Sequence, residues 1–537
     1  MDNNDNIVAL AKPVRKGILR LIFSRFFIFA ILLVFQVALL VMAYMQFSEK
    51  LPALLNIQWV FTFIMIIYLF NSSMDSSAKL TWMLVIAIIP IPGAVMLWWT
   101  QSNFGHRMET EMVRKQIDKT RGMLEQPQNV VKEIEHDGSG TDDISRYLNK
   151  TGCFPVYDKT QVTYFPLGEK KFEAMLSELE KAEKYIFMEY FIVEEGYMWG
   201  RILDVLLRKA AAGVEVRVMY DGMCEMSTLP AGYFKLLRSK GIKAKAFSPI
   251  KPVVSSHYNY RDHRKILVID GKVAFNGGVN LADEYINRKK RFGHWKDTAV
   301  MLKGQAAKSF ALMFLQMWNI DADPAIGKDH AAGKNPAAED EYSKWLSLPG
   351  CEEEANGYVM PYSDSPLDKY KAGEAVYMDI LNRATDYVHI MSPYLILDGE
   401  LETALCFAAQ RGVDVKLILP GIPDKKVAYS LAKTHYKELH EAGVKIYEYT
   451  PGFVHAKVFV SDDIKAVVGT INLDYRSLYH HFECATYMYR TDCIADIEAD
   501  FQDTLSKCRE VTDTSIKNEK LSYKVAGGLA KMISPLM

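Results

Sequence analysis

The chain has 537 residues, 64 Lys and Arg against 65 Asp and Glu, and a formal net charge of −1. That length suits two globular units plus additional segments, and the neutral balance argues against binding nucleic acid through bulk positive charge. Its seven cysteines are odd in number, scattered, and without a C-x-x-C pair, so they read as reduced or core residues and not as a zinc site.

Three charge-free stretches, Phe26 to Ser48, Leu51 to Met74 and Leu80 to Phe104, fill most of the first 104 residues. Each supplies the roughly 20 apolar residues that a membrane span requires. Residues 1–104 are therefore expected to be a membrane region with three transmembrane helices, which makes the protein a multi-pass cell-membrane protein. A cleaved signal peptide is the rival for the first stretch, but two more apolar stretches follow it. Asn56 and Gln58 weaken the second; Pro90, Pro92 and Gly93 would kink the third, and Trp98 and Trp99 suit an interface. Basic residues precede the first stretch (Lys12 to Arg25) and follow the third (Arg107 to Arg121), so the positive-inside rule gives opposing signals for three spans.

Residues 105–140 are highly charged and end in HDGSG, the composition of a helical or loose linker. Beyond them two stretches of similar pattern follow, 141–321 and 341–537, separated at 322–340 by a seam rich in Ala, Asp, Gly and Pro. Tyr185 to Phe191 and Tyr387 to Tyr394 read as buried strands. Each precedes a helix (Gly200 to Ala212, Gly399 to Gln410) and a second strand (Val214 to Tyr220, Val413 to Leu419). Alternating strand and helix predicts an α/β fold, with two tandem units whose mixed sheets are mostly parallel. The tail from Ser522 to Met537 spaces its apolar residues as an interfacial amphipathic helix does, or as a helix docked on the second unit.

Each unit carries one copy of a signature, HRKILVIDGKVAFNGGVNL at 263–281 and HAKVFVSDDIKAVVGTINL at 455–473. His263 and His455, Lys265 and Lys457, Asp270 and Asp462, Gly277 and Gly469, and Asn280 and Asn472 recur in register without a gap. In H-x-K on a strand, the period of two sends His and Lys to one face. Imidazole serves as nucleophile or proton carrier near neutral pH, and lysine and asparagine donate to anionic oxygens. Two half-sites facing each other would surround one phosphodiester. Asp270 and Asp462 complete the two sets, as structural anchors rather than phosphate contacts, because a carboxylate would repel the anion. Asn280 and Asn472 are phosphate-binding candidates, with capping of the helices that follow as the alternative. Thr470 is a candidate donor to a phosphoryl oxygen, and the Gly-Gly step at Gly278 lets backbone approach a ligand. His389 reads as a satisfied core histidine, and the role of Glu189 is open.

The doubled H-x-K-x4-D-x6-G-G/T-x-N pattern resembles the phospholipase D superfamily. KYIFMEYFIV, GVEVRVMYDG, MSPYLI, RGVDVKLILPG, AGVKIYEYTPGFVHAK and HFE narrow the likeness to the bacterial cardiolipin synthases. The first copy departs in having Gly278 where Ser is common, and the tract from Arg288 to Lys296 is unusually basic. The resemblance implies that Glu483 of HFE orients His455, with Asp297 of WKD as the matching candidate for His263. It implies phosphatidyl transfer between two phosphatidylglycerols through a phosphatidyl-histidine, giving cardiolipin and glycerol. Membrane phosphatidylglycerol and cardiolipin would be the partners, with no nucleic acid, metal or cofactor. The rivals are a phospholipase D using water or another alcohol, a nuclease of the same superfamily, and a non-catalytic lipid-binding scaffold.

Overall fold

A computed structural model describes residues 53–101, 107–248, 260–320 and 337–536, with isolated positions before residue 47. Most of Phe26 to Ser48 and most of the 322–340 seam lie outside the described residues.

Two sheets form the body. The first runs, edge to edge, Thr160–Phe165, Ala299–Gly304, Val273–Gly277, Lys265–Ile269, Tyr185–Tyr190, Glu215–Asp221 and Lys243–Phe247. The second runs Tyr358–Asp364, His481–Tyr489, Lys465–Gly469, Val458–Ser461, Tyr387–Met391, Asp414–Pro420, Lys445–Tyr449 and Cys508–Glu510. Both are mixed, but the expectation of mostly parallel pairing is corrected. Along these two orders only the strand pairs joined through crossover helices, such as Tyr185–Tyr190 with Glu215–Asp221, are parallel. The signature itself folds as an antiparallel hairpin, Lys265–Ile269 against Val273–Gly277 and Val458–Ser461 against Lys465–Gly469. The three-residue turns between them can join only antiparallel neighbours.

The helix Ala307–Trp318 is buried on all sides except for part of Lys308. It is mostly apolar, as suits a helix enclosed by protein, and it packs on both Lys265–Ile269 and Tyr358–Asp364. The charged tract expected as a linker is docked: helix Arg107–Thr120 lies on Ala307–Trp318, with Gln316 Nε2 donating to Thr120 Oγ1 at 2.7 Å. Helix Thr141–Gly152, expected within the first unit, packs on Tyr358–Asp364 and Ala372–Arg383 of the second.

The N-terminal segments depart further from expectation. Leu80 to Phe104 does not form one kinked rod. Helix Ser76–Ile88 ends at Ile89, and Pro90–Gln101 turns back on it, so that a Cβ at Gly93 would lie 3.2 Å from Ile86 Cα. Proline lacks the N–H that would continue the first helix, and glycine permits the close return. With Ala53–Phe70 these helices enclose a small core of Leu69, Trp82, Ile86 and Leu97. Among the described residues no helix is long and apolar enough to cross a membrane. At the other end, helix Leu521–Lys531 docks on Lys426–Ala432 of the second unit.

Candidate active site

The two signatures meet through short strands exchanged between the units. Arg261–Asp262 pairs in parallel with His481–Phe482, and Gly452–Val454 pairs in parallel with His294–Lys296. The His263 N–H donates to Phe482 O at 2.9 Å, and the His455 N–H donates to Lys296 O at 2.7 Å. Each histidine is thereby set one residue before a carboxylate of the opposite unit, Glu483 or Asp297.

This exchange corrects the orienting pairs. His263 Nδ1 lies 2.9 Å from both oxygens of Glu483, and His455 Nδ1 lies 2.7 Å from Asp297 Oδ2. The sequence-based pairing was the reverse. Both carboxylates are fully buried, and the neighbouring imidazole holds Glu483 well below the usual carboxylate range against the effect of burial. Burial drives both imidazoles toward the neutral form, His263 well below its ordinary value and His455 down to about 4. Lys265 Nζ donates to His263 O at 2.6 Å, while Lys457 Nζ bonds His455 O and lies 2.9 Å from His455 Nδ1. Burial pushes Lys265 down to about 8 and Lys457 to about 7; the charge of Lys265 further lowers Lys457, and the charges of Lys457 and, less strongly, Lys265 further lower His455. Four basic groups thus share one buried space with two carboxylates, an arrangement that gains charge when an anion enters.

Asp270 and Asp462 are turn anchors. Asp270 accepts from the N–H groups of Glu183, Lys184 and Tyr185 at 2.7–2.8 Å. Asp462 accepts from Thr385, Asp386 and Tyr387 at 2.8–3.0 Å. The glycines and Thr470 serve the protein rather than a ligand, which corrects the reading of Thr470 and Gly278 as phosphate contacts. A Cβ at Gly277 would strike Thr298 and Ala299 of the neighbouring strand, and one at Gly278 would occupy the place of the Asp297 carboxylate. The Gly278 N–H is committed to Thr298 O at 2.9 Å. The Thr470 hydroxyl bonds Glu483, completing the clamp on that carboxylate.

Asn280 accepts from the Ile192 N–H at 3.0 Å and donates to Tyr285 Oη at 2.8 Å; Asn472 donates to Ser477 Oγ at 3.0 Å. Neither caps a helix, since Asp474 caps Tyr475–Tyr479. Each amide keeps one N–H for another acceptor. Glu189 forms a buried ion pair with Arg264, Nε to Oε1 2.7 Å, at the residue next to His263, in the break between Arg261–Asp262 and Lys265–Ile269. His389 is the satisfied core residue expected, bonded to Glu498 at 3.0 Å and stacked on Phe501.

Residues that sequence reasoning missed line the space. Phe191 meets His263 edge-on at 4.9 Å between centroids, and Tyr285 and Trp295 each lie 5.5 Å from His455. Buried Lys171 donates to Val279 O at 3.2 Å beside Asn280, and burial pushes it down to about 7. His481 lies with its Nδ1 3.6 Å from Glu483 Oε1 and its ring 5.3 Å from that of His263. The period of two in HFE would have placed His481 and Glu483 on one face; no sequence signal marked Lys171. His263, His481 and Glu483 also form a three-donor set with ligand atoms within 4.8 Å, as do Glu374, Asp398 and Glu400. In the first set the hydrogen bond to Glu483 already engages His263 Nδ1.

Two His-Lys sets, each completed by an acid from the opposite unit, define a phospholipase D-like protein. The family described as cardiolipin synthase, PLD-like domain, matches residues 175–318 and 377–505, and the chain belongs to it. A cardiolipin synthase of Geobacillus kaustophilus is 32% identical over 95% of this chain and 99% of its own. A cardiolipin synthase of Alkalihalophilus pseudofirmus is 31% identical over 88% and 91%. An uncharacterized protein of Streptococcus mutans is 57% identical over 88% and 99%. Among solved structures, a phosphatidylserine synthase of Haemophilus influenzae superposes with a TM-score of 0.54 at 12% identity, over 74% of this chain and 97% of its own. That likeness is one of fold.

Proposed function

We propose that the chain is a cardiolipin synthase of the cell membrane that transfers a phosphatidyl group from one phosphatidylglycerol to another. The observation that carries the reading is the paired cross-unit site, His263 with Glu483 and His455 with Asp297, around a basic, buried space. The aromatic walls limit water, which matters when one phosphodiester is exchanged for another and hydrolysis is the competing outcome.

The two histidines differ in a way that supports different roles. His263 Nδ1 meets only the Glu483 carboxylate. A carboxylate there fixes the proton on Nδ1 and leaves the Nε2 lone pair free to attack phosphorus. His455 Nδ1 meets both Asp297 and the Lys457 ammonium. The Asp297 carboxylate accepts the Nδ1 proton and supports a second proton on Nε2, so that His455, as an imidazolium, can pass the Nε2 proton to a leaving alkoxide and remain a neutral imidazole. In this mechanism His263 Nε2 forms the P–N bond as the P–O bond to glycerol breaks, and His455 gives that oxygen its proton. The hydroxyl of a second phosphatidylglycerol, deprotonated by His455, then displaces His263 and releases cardiolipin. Lys265, Lys457, Asn280 and Asn472 would hold the phosphoryl oxygens.

Purified full-length protein incubated with labelled phosphatidylglycerol alone tests this. Cardiolipin and glycerol in equal amounts are expected. Phosphatidic acid without cardiolipin would mark a hydrolase, and no turnover would mark a lipid-binding scaffold.

A further inference from the structure

The helical hairpin that precedes the two units meets the C-terminal tail at one place. Thr81 Oγ1, in the hairpin formed by Ser76–Ile88 and Pro90–Gln101, donates to Met532 O at 2.8 Å, and Ser534 is buried there. Helix Leu521–Lys531 has two unlike sides. Gly527 rests directly on the Ser430 carbonyl and Ala530 is buried, which fixes the helix on Lys426–Ala432. Leu521, Val525 and Leu529, spaced four apart, are 75%, 54% and 63% exposed on the other side. Exposed Met532 and Ile533 continue that stripe toward the hairpin, which itself exposes Leu84, Ile88, Ile91, Val95 and Trp98. A soluble surface rarely leaves so much contiguous apolar area uncovered. Helical spacing at 100° per residue sets exposed Lys524 and Lys531 along one border of the stripe.

We propose that the C-terminal helix is a second membrane contact, lying in the headgroup–acyl boundary of an anionic bilayer beside the N-terminal hairpin. This rests on the reading of the chain as a membrane-bound transferase. The apolar stripe enters the acyl region and the lysine border meets anionic headgroups, the pattern of an interfacial helix. The contact reaches toward the active site: Ala530 packs in one small cluster with Ile396 and Tyr475. The Ile396 N–H bonds Leu473 O at 2.8 Å, next to Asn472. Bilayer contact at the C-terminus therefore holds the second half-site at a set height above the lipid.

Nitroxide labels at Val525→Cys and Leu529→Cys test the contact without reference to the reaction. They are placed in the full chain after Cys351, Cys406 and Cys508 are replaced by Ser, in phosphatidylglycerol bilayers. The ratio of oxygen to nickel-chelate accessibility should exceed that at exposed Lys437→Cys at least threefold. Equal ratios would overturn the proposal, and so would exclusion of both reagents, which marks a protein–protein contact between copies. The double variant Val525→Asp, Leu529→Asp, whose positions are exposed, reads the consequence. Its rate on phosphatidylglycerol vesicles should fall at least tenfold while its rate on a monomeric short-chain phosphatidyl nitrophenol stays within twofold, and Val525→Phe, Leu529→Phe should match wild type. Equal loss on both substrates, or loss on neither, would overturn the link to the site. If cardiolipin synthesis itself is absent, the label accessibilities still decide the membrane contact.

Discussion

Glu483 belongs to the second unit and His263 to the first, yet both Glu483 oxygens stand 2.9 Å from His263 Nδ1. The reciprocal pair, Asp297 and His455, is separated by 2.7 Å. The half-sites are therefore interlocked, and each imidazole depends on the other unit for its tautomer.

Crossed pairing makes the acids separable. A phosphatidyl nitrophenol, whose leaving group needs no proton, isolates the nucleophile from the general acid. On it, Glu483→Gln should lose about 10³-fold in turnover, within the range that general acid–base groups contribute. Asp297→Asn should release nitrophenol in a burst near wild-type rate, and so should His455→Ala, with the adduct on His263. A burst surviving in Glu483→Gln but not in Asp297→Asn would reverse the assignment.

Lys265→Met and Lys457→Met should each cost about 3 kcal/mol of transition-state stabilisation, the scale on which a charge-stabilising donor contributes. Near wild-type turnover in either folded variant would refute a phosphate shared by both sets.

Burial sets Lys265 at about 8 and Lys457 at about 7. A group with a lowered pKa loses its charge as pH rises through that value, and kcat/KM reports the free enzyme. The alkaline limb of kcat/KM should then fall between about pH 7 and 8, not near the ~10.4 of an ordinary lysine. A profile flat to pH 10 would contradict this.

Arg264→Met should destabilise the fold by about 3–5 kcal/mol, because it leaves the Glu189 carboxylate buried and unpaired. Adding Glu189→Met should recover part of the loss. Equal denaturation midpoints for single and double variants would show that the pair is not coupled.

Activity should survive exhaustive chelation. Loss with EDTA that one divalent ion restores at micromolar level would assign a working metal to the His263, His481 and Glu483 donors.

The doubled signature made much of the site legible, because His, Lys and Asp at fixed spacing impose one turn geometry and bring each His and Lys together. The partnership of each histidine was not. Glu483 follows His455 along the chain and Asp297 follows His263, so sequence order suggests pairs within a unit. Only the exchange of Arg261–Asp262 and Gly452–Val454 across the interface reverses them. Thr470 was misread for a related reason, since its hydroxyl faces a carboxylate supplied by a strand 13 residues on. The third apolar stretch was misjudged because hydropathy counts residues along a line, whereas Pro90 and Gly93 let the helix double back.

The exchanged strands also govern how substrate reaches the chemistry. Backbone bonds from His263 to Phe482 and from His455 to Lys296 stitch the units together on either side of the reacting groups. Ala307–Trp318 fills the space beneath. A clamshell motion would have to break both stitches and strip the imidazoles of their acids at the moment of admission. On the proposed reading as a membrane transferase, lipid chains would instead enter laterally, between the aromatic residues beside the two histidines. Turnover would then be paced by the fluidity of the surrounding bilayer, and an isolated half of the chain would hold a histidine with no fixed tautomer.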